Sequence, residues 1–168
     1  MTGKIERGRV RAGDELEVVG LAEQPRATVC TQVEAFGQLL DEGLAGDSVG
    51  CLLRGVRRDE VERGQIVVAP GTLAPRTRFE AEVYALTKEE GGRHTPFFSG
   101  YTPQFFVRTS DAPGRLRLLG ELEMCLPGDS AHVGVELVRP LALEAGDRFA
   151  VREGGRTIGR GLVSRVLG

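Results

Sequence analysis

Two stretches of this chain set guanidinium groups beside bare backbone: Gly91-Gly92-Arg93-His94-Thr95-Pro96-Phe97-Phe98 and Arg152-Glu153-Gly154-Gly155-Arg156-Thr157. Arginine donates hydrogen bonds in a planar fork that fits phosphate oxygens, and a glycine N–H meets an anion with no side chain in the way. A packed core asks for neither. The chemistry they suggest is recognition of a phosphate backbone. The same residues also read as plain hairpin turns carrying solvated arginines, and the local pattern leaves both readings open.

Bond-making chemistry has less to build on. A P-loop needs glycines and a lysine before serine or threonine, and neither Lys4 nor Lys88 lies in such a run. A nucleophilic triad needs a histidine beside its nucleophile. His132, between Ala131 and Val133, reads as a filler on a strand. Cys30, Cys51 and Cys125 share no metal-ligand spacing. Cys30 and Cys51 sit in apolar, alternating surroundings and read as small buried hydrophobes, which suits a reducing cytoplasm. No catalytic constellation and no cofactor site is expected. Neither a signal peptide nor a membrane span is legible, because no run approaches the length of apolar residues a span needs.

The composition is that of a soluble globule, 40% hydrophobic and 27% charged over 168 residues. A net charge of −2 gives no global footprint for nucleic acid, so RNA binding has to come from a local basic patch. Of the 22 cationic residues all but Lys4 and Lys88 are arginine. That bias suits bidentate phosphate contacts, and a GC-rich genome produces it equally well. Glycine, with 24 residues, runs at roughly twice its average usage and predicts many turns.

The elements that must position the two loops are strands. Period-2 alternation runs through Ala27–Val33, Phe79–Ala85 and Val133–Leu137. A punctuation mark recurs before strands: Ala12-Gly13-Asp14, Ala45-Gly46-Asp47, Pro127-Gly128-Asp129 and Ala145-Gly146-Asp147. In each, glycine permits a positive φ and aspartate caps its own turn. Arg57–Arg63 is the best helical candidate, and Phe36–Leu44 reads as a helical turn or an ordered loop. The expectation is an all-β chain of barrels or sandwiches. Two prolines mark residues 70–76 as a linker, which divides the chain into a first module at 1–69 and a second at 77–168. The opening Thr2–Gly8 behaves like half of a hairpin without its partner, so the first module is expected to be truncated at its N-terminus.

With Met124-Cys125-Leu126-Pro127-Gly128-Asp129 and the closing Gly159-Arg160-Gly161-Leu162-Val163, the basic loops resemble the third domain of bacterial elongation factor Tu. The first module resembles that family's second domain in Thr2–Gly8, Leu39–Asp47, Leu52-Leu53-Arg54-Gly55 and Val61–Gln65. The resemblance implies two small antiparallel β-barrels in series. It implies that Arg93, His94, Gln104, Arg139, Arg152, Glu153 and Gly154 grip the T stem of aminoacyl-tRNA. It also implies that Glu34 meets the terminal adenosine and that Arg63 meets the 5′ end. Gly37, Ser48 and Pro113 depart from the family's usual basic residue, asparagine and threonine at their positions. The implied partners are aminoacyl-tRNA, the ribosome, a GTPase domain of the same family and its nucleotide-exchange factor, in the cytoplasm and without a membrane. GTP and magnesium belong to the family's GTPase domain, which these residues lack, so the chain itself is expected to bind and not to catalyse. The alternatives are a module that docks the GTPase domain or the exchange factor without tRNA, or a gene fragment with no independent role.

Overall fold

The computed structural model describes all 168 residues, Met1–Gly168, and is built almost wholly of antiparallel strands. The first half holds β1 (Thr2–Lys4), β2 (Arg9–Arg11), β3 (Glu15–Val19), β4 (Arg26–Ala35), β5 (Gln38–Leu40), β6 (Glu42–Leu44), β7 (Ser48–Leu53) and β8 (Ile66–Val68). The second holds β9 (Ala74–Ala85), β10 (Phe97–Phe98), β11 (Gln104–Val107), β12 (Ser110–Leu118), β13 (Met124–Cys125), β14 (Ser130–Leu143), β15 (Arg148–Glu153) and β16 (Arg156–Val166). No helix is long and apolar enough to cross a membrane.

Six strands of the second half close into a barrel in the order β11-β12-β14-β9-β16-β15. The alternation read from the sequence sets its inside: Phe79, Ala81 and Val83 of β9 face Val133 and Val135 of β14, all nearly inaccessible. At the centre Phe79 meets Phe105 edge-on at 6.2 Å and Phe149 at 5.6 Å, geometries that set ring edges against ring faces. The first half does not close. Its main sheet runs β1-β7-β4-β3-β8 with β5 attached to β4, and β2 pairs with β6 separately. Its core is correspondingly small, a cluster of 7 buried residues against 21 in the barrel.

The Gly-Asp marks are tight turns at all four places. Gly13, Gly46, Gly128 and Gly146 hold φ between +91° and +97°, as the third residue of a type II turn requires. Asp14, Asp47 and Asp147 each accept, through the carboxylate, the N–H three residues earlier at 2.8–2.9 Å. The two helical readings do not hold. Arg57–Arg63 retains only a 3-10 turn at Arg58–Glu60, where Glu60 accepts the Arg57 N–H at 2.7 Å. Seven residues are too few to recover the cost of starting a helix. Phe36–Leu44 is a hairpin and a further strand: Phe36 and Gly37 have φ of 52° and 75°, a two-residue turn that carries β4 directly into β5.

Of residues 70–76, Ala74–Arg76 belong to β9 and pair with Leu141–Leu143. The two halves meet along this segment. Val19, Leu73 and Ala142 form a small buried cluster, and the Leu21 N–H donates to Pro140 O at 2.8 Å. Arg108, 17% exposed, donates to Asp147 at 2.7 Å, to Glu6 at 3.2 Å and to Ala142 O at 3.1 Å.

The unequal cores predict unequal local stability. Amide hydrogen exchange should show residues 1–69 opening on the order of tenfold more often than 77–168. Equal protection across both halves would refute this ranking.

Candidate nucleic-acid interface

Arg93 is aimed by the turn that precedes it. The Gly92 N–H donates to Thr87 O at 2.8 Å, and a Cβ at Gly92 would lie 2.1 Å from Leu86 O, so only glycine closes this turn. The guanidinium that follows is engaged on every side. It donates to Thr95 O at 3.3 Å, to Thr95 Oγ1 at 3.2 Å and to Pro96 O at 3.4 Å, and it forms an ion pair with Glu153 Oε1. It lies 4.8 Å above the centre of the Tyr101 ring, which stacks in turn on Phe97 at 5.3 Å. The Tyr101 hydroxyl donates to the same Glu153 Oε1 at 2.8 Å. Arg93 is therefore a fixed cation, 22% exposed, and not a solvated one.

Gly154 and Gly155 are indeed a hairpin turn, with φ of 56° and 81°, between Glu153 and Arg156. That turn also builds the second cationic position. Arg152 Nη2 donates to Gly155 O, the guanidinium lies 5.2 Å above the Phe106 ring, and its Nε is buried without a partner. Gln104, exposed, is flanked in register by Arg152 on β15 and by Pro113 on β12. The next pair on the same face of β11 and β12 sets Phe106 opposite Asp111, whose carbonyl accepts Arg139 Nε and Nη2 at 3.2 and 2.8 Å. Arg139 reaches it because β14 breaks register between Glu136 and Leu141.

One surface thus runs over four neighbouring strands, from Arg152 across Gln104 and Phe106 to Arg139, with Arg93 tied to its edge through Glu153. Exposed His94 follows Arg93 in the chain, and Gly154 sits at the hairpin tip. The sequence reading missed Tyr101, Phe106 and Asp111. Phe106 carried a signal: in Gln104-Phe105-Phe106-Val107 strict alternation sends every second residue outward.

Glu34 and Arg63 lie apart from this surface. Glu34 is exposed on β4 between Leu39 and Gly50 in register, beside an open cavity of about 430 Å³. Gly37 and Ser48 line the same cavity. Arg63 is exposed on the segment before β8 and does not line it.

Burial first, and the Glu153 carboxylate second, push the Tyr101 phenol from 10.0 up to about 12. The folded chain keeps this proton where the unfolded chain releases it. The contribution to stability is whole below about pH 10 and is lost as pH rises through about 12. Tyr84 is also raised, by its hydrogen bond to Glu90. An absorbance titration of the folded chain should find neither tyrosine half-ionised at pH 10.0, whereas in denaturant both should titrate near that value. Folded-state titration at the ordinary value would show that the Tyr101–Glu153 bond does not persist in solution.

The model described as elongation factor Tu domain 2 matches residues 1–68, and that described as elongation factor Tu C-terminal domain matches residues 72–167. The basic surface lies wholly within the second match, and the Glu34 cavity within the first. With the two matches filling almost all of its length, this chain belongs to the elongation factor Tu family.

Proposed function

We propose that this chain binds aminoacyl-tRNA, with the closed barrel gripping the backbone of the T stem and the first half attending the acceptor end. The observation that carries this reading is the arginine surface itself. In a chain of net charge −2, Arg93, Arg139 and Arg152 are each oriented by a partner within the protein. Phosphate contacts need donors, and the shallow groove of an RNA helix offers ribose hydroxyls that Gln104, His94 or Glu153 can meet. Delivery to the ribosome in the cytoplasm would depend on GTP, with binding and hydrolysis carried by a GTPase domain outside these residues. This chain is then a binding module and not an enzyme.

Exposed Phe98 and Met124, paired in the two-stranded β10–β13 sheet outside the barrel, and Leu122 and Leu126 close by in sequence favour a second role for this half. An apolar patch of this kind suits a protein surface, and we assign it to docking of the GTPase domain or of the exchange factor.

Two measurements test the proposal. Arg152→Ala should weaken aminoacyl-tRNA binding by about 1.5–3 kcal/mol at low salt, the range for hydrogen bonds to charged groups. It should also flatten the log–log salt dependence by on the order of one unit. An unchanged affinity and slope in a chain that still binds tRNA would remove Arg152 from the interface. Calorimetry with the purified chain should detect no GTP binding at micromolar concentration, and measurable heat would reveal a nucleotide site outside the P-loop pattern.

A further inference from the structure

Arg93, Tyr101 and Glu153 are joined more closely than a surface ion pair requires. Tyr101 touches Arg93 with its ring face and touches the partner of Arg93 with its hydroxyl, and both bonds end on the same oxygen, Glu153 Oε1. A second trio on the barrel has the same composition. Tyr84 donates to Glu90 at 2.6 Å, and Arg160 lies 5.4 Å above the Tyr84 ring and 3.9 Å from Glu90. There the arginine side chain is 67% exposed, three times the 22% of Arg93. Arg160 is a solvated cation beside a tyrosine, whereas Arg93 is clamped between a ring, a carboxylate and two carbonyls.

A guanidinium on a free side chain has to lose rotamer freedom when it meets an anion, and one already ordered does not. The buried Phe97 ring stacks on Tyr101 at 5.3 Å, so the platform under Arg93 is itself held. Tyr101 touches both Arg93 and Glu153, 60 residues apart in sequence: it lies under the guanidinium of the first and donates a hydrogen bond to the second.

We infer that Tyr101 is a positioning residue of the RNA surface: its ring and hydroxyl hold the Arg93–Glu153 pair in the orientation from which Arg93 meets a phosphate, which presumes the tRNA reading above. Tyr101 supplies no charge to the ligand. Its removal therefore weakens binding only through Arg93 and leaves the number of ionic contacts unchanged.

The test is a double-mutant cycle in the full chain, read by filter binding of a purified aminoacyl-tRNA at several salt concentrations. Tyr101→Leu should weaken binding by about two- to tenfold, the scale for one side chain losing its preorganisation. In the Arg93→Ala background the same change should cost less than about 1.5-fold, because the two act as a unit. The salt slope should fall by about one unit for Arg93→Ala and stay within a few tenths of native for Tyr101→Leu. Tyr101→Phe keeps the ring and loses the bond to Glu153, so its loss should fall between native and Tyr101→Leu, and again only when Arg93 is present. That variant carries the test if Tyr101→Leu does not fold. Tyr84→Leu, at the exposed trio, should leave tRNA affinity unchanged. Equal losses with and without Arg93, or no loss on changing Tyr101, would overturn the positioning role while leaving the interface intact. If Arg93→Ala itself changes neither affinity nor slope, both the positioning role and the place of Arg93 in the interface fail.

Discussion

The pairing of β14 with β9 is the constraint on which the rest of the molecule depends. The two strands align from Ser130 opposite Tyr84 to Glu136 opposite Arg78, part at a bulge, and realign from Leu141 opposite Arg76 to Leu143 opposite Ala74. The first stretch closes the barrel. The second keeps Leu141 and Leu143 in the barrel core and turns Ala142 against Val19 and Leu73 of the other half. Between them the bulge releases Arg139 outward, where it finds the Asp111 carbonyl. A bulge inserts residues that the partner strand does not match and bends the strand that carries them. Here one strand, interrupted once, serves both the barrel core and the contact between halves, and the interruption delivers a basic side chain to the outer surface.

On that surface, chemistry is decided by burial more than by residue type. The chain contains two tyrosines, and each holds a glutamate by its hydroxyl and lies beneath an arginine. Exposed ion pairs of this sort contribute little, because water and salt screen them and long side chains resist confinement. Sheltered ones cost more to assemble and are correspondingly harder to pull apart. The trio at Tyr101 belongs to the second kind, and it joins two loops far apart in sequence.

Much of the fold was legible because it rests on local rules. The four Gly-Asp turns follow from the steric freedom of glycine, and in all but the one at Asp129 from the reach of a short carboxylate, both properties of neighbouring residues. Alternation in Phe79–Ala85 and Val133–Leu137 named the barrel core in advance. The errors fall where long-range pairing outweighs local preference. Phe36 adopts a positive φ rare for a bulky residue because β4 and β5 must pair on either side of it. Arg57–Arg63 coils for a single 3-10 turn and is extended again at Val61, ahead of the strand Ile66–Val68 that pairs with β3. At the interface, the arginines could be named, whereas their restraint could not. That Arg93 would lie over Tyr101, and Arg152 over Phe106, depends on which strands are neighbours in the closed barrel. Of the two readings that glycine at 154 and 155 supported, the turn is the one seen: the loop is a hairpin, and its Gly155 carbonyl accepts a hydrogen bond from Arg152.

The contact between the two halves has a geometric consequence. Arg108 binds Glu6 with one nitrogen and Asp147 with another, so a single side chain spans both halves while an apolar cluster excludes water beside it. Two bodies fastened at more than one point cannot swivel freely. The cavity beside Glu34 and the arginine surface around Arg152 are consequently carried on halves whose swivel is restricted at this joint. A ligand reaching from one to the other would have to bridge that joint, so its length and stiffness would count beside its charge.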